Sequence, residues 1–243
     1  MFALFRKEIS SFLNSVVGYV VMLIFLLING LFLWVFPMDF NILDYGFASL
    51  DSYFILAPWV FLFLIPAITM RSFAEEYKSG TLELLLTKPV TDKEIITAKF
   101  LAGNVLVVLS VLPTLIYYYT VIRLGLPPGN IDHGATIGSF IGLLLLGSAF
   151  VAIGIFASSL AENQIVAFLI AVFVCGFSYI GFEFIYDQSL FGSMNLFIRQ
   201  TGIYAHYSSV SRGVIDTRDM LYFFSVVLLF LMLTRFRLEQ RKW

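Results

Sequence analysis

Two histidines, one cysteine and a few polar residues inside apolar runs are the groups with which this 243-residue chain could do chemistry. His133 and His206 have no Cys or His companions at metal-ligand spacing, and no His-Glu-x-x-His string occurs, so no metal site is expected. Gly147-Ser148 places a hydroxyl in an apolar run, but no such run holds a histidine to take its proton, which argues against intramembrane proteolysis. Lys78-Ser79-Gly80-Thr81 has its lysine before the glycine and cannot form the loop that cradles phosphates. Any ATP that powers this protein is therefore hydrolysed by another chain. No catalytic residue and no cofactor of its own are expected.

A carrier or proton pump places ionisable residues at mid-membrane. Here the apolar runs hold Asn29 and Asn104, with Glu183 as the single acid. Asn29 is expected to bond a neighbouring helix, and Glu183, near the end of its run, to sit at the interface. The lone Cys175 excludes a disulfide framework. A net charge of −1 gives no reason to expect a nucleic-acid partner.

The elements that must hold these residues follow from composition. The chain is 60% hydrophobic and 13% charged, against about 45–50% and about 25% in ordinary globular domains. Lipid must be its solvent. Crossing roughly 30 Å of hydrocarbon takes about 20 apolar residues in a helix, and the runs that qualify are 16–36, 53–70, 100–122, 136–160, 165–185 and 219–236. Their continuity excludes the alternating pattern of a barrel. The first run is too long for a signal-peptide core and ends in Val-Phe-Pro rather than a small-residue cleavage site, so it is expected to remain as the first span. The last is short between Asp219 and Arg235 and needs the arginine to snorkel. With the N terminus inside, eleven of the fifteen Lys and Arg fall in inner segments, and the first outer loop, 37–52, has three Asp and no base. This bias predicts both termini in the cytoplasm.

Between the spans the local signals are specific. Residues 2–14 read as an amphipathic helix lying in the headgroup region, with Phe2, Phe5, Ile9 and Phe12 on one face and Arg6, Lys7, Ser10 and Asn14 on the other. In the loop 71–99, Gly80 can end a turn continuing from the second span, and Thr81 can cap a short helix that stops before Pro89. Thr91-Asp-Lys-Glu94 has capping-box spacing and would start the helix of the third span. Glu75 stands at helical pair spacing from Arg71 and is also close to Lys78, so these residues can alternatively serve a solvated turn. The outer loop 186–218 is rich in Leu, Phe and Tyr and predicts helices that dip back toward the membrane, with Gly213 after Arg212 as a stop and Asp216 as the cap of the last span. Gly134, Gly138 and Gly142 repeat at intervals of four and allow close helix approach, within one chain or between two. Pro58, Pro66 and Pro113 are expected to kink the second and third spans.

The inner loop reads Glu75-Glu76-Tyr77-Lys78-Ser79-Gly80-Thr81-Leu82-Glu83-Leu84-Leu85-Leu86-Thr87-Lys88-Pro89-Val90. It resembles the loop after the second span of ABC-2 type permeases, in which two acids precede Gly-Thr-Leu-Glu and a Leu-rich turn. Asn163-Gln164 and the stretch Ser211-Arg212-Gly213-Val214-Ile215-Asp216-Thr217-Arg218-Asp219 are similar to the same family. The likeness spans most of the chain and extends to the gliding-motility-associated permeases of gliding bacteria.

The resemblance implies an all-α integral membrane protein forming one transmembrane domain over 1–243. It would have an elbow helix, six spans, a cytoplasmic coupling helix between spans 2 and 3, and partly embedded outer helices between spans 5 and 6. It implies an exporter subunit of the bacterial inner membrane that works with cytoplasmic ABC ATPases, where ATP and magnesium would bind, and with a second permease subunit. Residues 81–87 match the coupling helix, with Glu75, Glu76, Gly80, Thr81, Leu82, Glu83, Leu84 and Leu85 as the ATPase-coupling set. Arg212, Gly213, Asp216 and Asp219 are expected to form an outer gate at the entry of the last span. The alternative is a non-transporting anchor or assembly component of a motility or secretion machine.

Overall fold

A computed structural model describes residues 1–44, 46–81, 91–188 and 192–240. Leu82, Glu83, Leu84 and Leu85 lie outside the described residues. Everything regular among the described residues is helical. The chain opens with α1 (Phe2–Leu13), α2 (Val16–Trp34), α3 (Asp51–Thr69) and α4 (Arg71–Lys78). There follow α5 (Asp92–Val111), α6 (Leu115–Leu124), α7 (His133–Leu160), α8 (Gln164–Gly176) and α9 (Phe182–Asp187). Two short helices, α10 (Asn195–Thr201) and α11 (Ile203–Val210), lead into α12 (Thr217–Gln240).

Among the described residues five stretches are long and apolar enough to cross a membrane: Asp51–Lys78, Asp92–Leu124, His133–Leu160, Gln164–Asp187 and Thr217–Gln240. The start of the chain adds a sixth only as a bent pair, in which α1 and α2 meet at 65°. The bend follows from composition. The face of α1 formed by Arg6, Lys7 and Ser10 suits water, whereas α2 has no charged residue at all. Ser15 marks the corner, its hydroxyl accepting from the Gly18 N–H at 3.2 Å.

The core sits along α3 and α7. Their hydrophobic windows are 72% and 67% buried, against 22% and 17% for the spans containing α8 and α12. Small residues of α7 let neighbours approach: a methyl added at Gly154 would overlap the Thr69 side chain of α3. The glycine repeat that begins α7 also packs within the chain. A Cβ at Gly138 would meet the Gly213 backbone at 2.8–3.1 Å, and one at Gly142 would meet Val210. These glycines receive the segment that returns after α11.

The prolines behave differently from one another. Pro58 and Pro66 lie within a helix unbroken from Asp51 to Thr69. Pro113 falls in a 3-10 turn, Leu112–Thr114, that separates α5 from α6. There the Thr114 hydroxyl donates to the Val111 carbonyl at 2.6 Å and meets Tyr53 Oη at 2.9 Å. Asn29 does not bond a neighbouring helix as expected. It is fully buried and donates to the Phe25 carbonyl of its own helix at 2.8 Å, one turn back along the chain. Asn104 makes the interhelical bond instead, accepting from Ser148 Oγ of α7 at 2.6 Å. Glu183 pairs with Arg199 at 3.2 Å, linking α9 to α10.

Candidate functional site: an ion-pair network at the basic end

Lys99 stands near the start of α5, two turns beyond the Thr91–Glu94 capping box that launches the helix. Thr91 Oγ1 accepts from the Glu94 N–H at 3.4 Å, and Glu94 accepts from the Thr91 N–H at 3.0 Å. The Thr91 N–H foremost, and then the Thr91 hydroxyl, which donates to the same carboxylate at 3.0 Å, hold Glu94 below its ordinary pKa. The cap fixes where α5 begins and hence which way Lys99 points.

The Lys99 side chain is 1% exposed. Its ammonium donates to Glu8 Oε1 of α1 at 2.9 Å and to the Ser72 carbonyl of α4 at 2.6 Å, and it lies 3.0 Å from Glu76 Oε1. Three acceptors match the three protons that an ammonium carries. The Phe73 ring covers it from 5.0 Å. Lys7, on the exposed side of α1, reaches the same Glu76 oxygen at 3.3 Å. Two lysines and two glutamates thus join α1, α4 and α5, with formal charges that cancel.

The partner arm is held from behind. Ser158 Oγ, near the end of α7, accepts from the N–H groups of Phe73 and Ala74 at 2.9 and 3.1 Å. It donates to the Met70 carbonyl at 3.0 Å. One hydroxyl therefore bridges the junction between α3 and α4, where the helical ladder is interrupted, and pins it to the most buried part of the fold.

A cavity of about 280 Å³ opens beside this network, bordered by Ser11, Ser15, Thr69, Arg71, Ser79 and Thr81 as well as the four charged residues. α4 ends at Lys78, and Gly80 follows at φ +67°, the left-handed conformation that closes a helix most easily with glycine. The Ser79 and Thr81 hydroxyls lie 2.8 Å apart at the exit toward residue 82.

The two neighbouring acids part company. Glu76 is buried in the network, while Glu75 is exposed and forms no ion pair with Arg71 or Lys78 among the described residues. On α1, Phe12 is buried, Phe5 and Ile9 are half-buried, and Phe2 and Arg6 are exposed. The remaining predicted site residues gather at the opposite end. Gly213 has φ +83°, and Arg212 Nε donates to the Ser208 carbonyl at 3.0 Å. Asp216 Oδ1 accepts from the Arg218 N–H at 2.9 Å at the start of α12, and Asp219 meets His206.

Sequence reasoning missed Lys99, Glu8, Ser72 and Ser158 as members of one site. The legible signal was a glutamate and a lysine where the two polar arms of one loop enter apolar runs. When such arms fold side by side, these are the positions at which charges must pair or leave the interface. Among the described residues the arrangement pairs buried charges and joins α1, α4 and α5. No curated protein matches the chain. Residues 2–243 match the family model described as ABC-2 family transporter protein, and the chain belongs to that family of membrane transport components.

Proposed function

We propose that this chain is the permease subunit of an ATP-driven exporter whose basic end faces the cytoplasm. ABC ATPase subunits would dock on residues 75–87, with ATP and magnesium bound there and not here. The observation that carries the reading is the position of Lys99, which ties α1, the extension of the second span and the start of the third into one charge-neutral unit. Force applied at Thr81 passes toward the bilayer through α4, which the network ties to α5. The network keeps these arms from sliding past each other, because separating them would strand buried charges. Ser158 carries the displacement of α4 into α7. In this reading α1 acts as an elbow helix, anchored by Phe5 and Phe12 and moved through Glu8. The likeness to the gliding-motility permease GldF favours gliding or surface secretion as the process served, with a second, different permease completing the pair.

The test is ATP hydrolysis by the complete complex in proteoliposomes. Lys99→Met and Glu76→Ala should leave assembly with the ATPase intact and lower hydrolysis several-fold. Unchanged hydrolysis in both variants, with assembly preserved, would remove the coupling role.

A further inference from the structure

At the opposite end of the bundle, His206 of α11 joins three segments through one ring. Nδ1 lies 2.7 Å from Asp219 Oδ1 in the first turn of α12, and Nε2 lies 2.8 Å from the carbonyl oxygen of Gln200 at the end of α10. The ring stacks on Tyr222 of α12 with centroids 3.8 Å apart, and the Tyr222 hydroxyl donates to the next carbonyl, Thr201, at 2.7 Å. The side chains of His206 and Asp219 are 18% and 10% exposed.

Neither hydrogen-bonding partner of the ring has a proton to give. A backbone carbonyl only accepts, and an ionised carboxylate only accepts. Asp219 stands in the first turn of α12. Both contacts are satisfied together only when both ring nitrogens carry protons. Among the described residues the charged groups around the ring are few, and from the turn 177–181 packed on α11 the phenol Tyr179 lies against Tyr204 and Tyr207. From α12 the ring faces Asp219 and the phenol Tyr222. From α10 it meets the Gln200 carbonyl, while Arg199 is turned to Glu183 of α9. Arg212, beyond the end of its own helix, bonds the Ser208 carbonyl.

We propose that His206 is a proton-operated latch fastening α10 and α11 to α12. Protonated, the ring clamps Gln200 and Asp219 at once. When the proton leaves, one contact loses its hydrogen, and the segment between the last two spans loosens at the bundle end opposite the Lys99 network. α11 also packs on the core, since the buried Tyr207 hydroxyl donates to the Phe54 carbonyl at 2.7 Å, so the change is a loosening and not a release.

The test is hydrogen exchange of the full chain in nanodiscs between about pH 5 and pH 8, corrected for the intrinsic pH dependence of exchange. Peptides over 198–222 should lose about tenfold in protection as pH rises, with no change in α7 peptides. His206→Gln should abolish the dependence. Asp219→Asn should flatten or reverse it, since an amide can donate to the neutral ring. Histidine nitrogen spectra of the wild type should show the second proton leaving His206 over the range in which protection falls. Constant wild-type protection, a ring neutral throughout, or either variant keeping the wild-type trend would overturn the latch.

Discussion

Lys99 Nζ and Glu76 Oε1 stand 3.0 Å apart in a pocket that leaves the lysine side chain 1% exposed, so the two arms of one loop are locked where they enter the apolar bundle. The pairing gives α4 and α5 a shared position that neither helix would hold by propensity alone. It also makes each charge dependent on the other. Their effects on stability should be non-additive.

Lys99→Met leaves Glu8 and Glu76 without their buried cation and should cost on the order of 3 kcal/mol. Adding Glu76→Gln should recover part of that loss, because a neutral amide needs no counter-charge. Unfolding midpoints of the two single variants and the double variant in detergent check this, and strictly additive losses would contradict it.

Lys7 offers the contrast within the same network. Its side chain is 58% exposed, so solvent screens its pairing with Glu76. Lys7→Ala should change stability by no more than about 1 kcal/mol in the same assay.

Ser158→Ala removes the acceptor of two buried N–H groups and should destabilise the α3–α4 junction by about 1–3 kcal/mol. Faster hydrogen exchange at Phe73 and Ala74, with Lys99 still inaccessible to amine reagents, would localise the effect.

Gly213→Ala should be poorly tolerated for two independent reasons. The residue has φ +83°, and an added Cβ would press on the Ala135 backbone, which cannot swing away as a side chain would. A loss of on the order of 2–3 kcal/mol is expected, with α11 peptides gaining exchange first.

Glu94 predicts a pH dependence with a definite sign. Its pKa is lowered in the folded state, so the cap's contribution is present above the ordinary glutamate range and is lost as pH falls through the lower folded value. Protection of amides in residues 92–97 should drop on acidification in the wild type. In Thr91→Ala, which lacks the reciprocal hydroxyl, the drop should begin at higher pH.

Membrane residence and the helical state of the spans were legible in the sequence because both depend on local properties. Uninterrupted apolar runs need lipid, and a backbone in lipid must satisfy its own hydrogen bonds within a helix. The Thr91–Glu94 box and the turn at Gly80 were readable for the same reason, since each bond closes within a few residues. What separates Glu76 from Glu75 was not readable. Adjacent residues on a helix face about 100° apart, and only the arrival of α1 and α5 decides which carboxylate meets Lys99. Asn29 and Asn104 make the same point: each is an amide in an apolar run, yet only Asn104 faces a hydroxyl, Ser148, on another helix. Local spacing determined where helices lie and where they stop. Tertiary packing decided which charges are buried together, because the energy of a buried charge depends on what stands within a few ångströms of it and not on what precedes it in the chain.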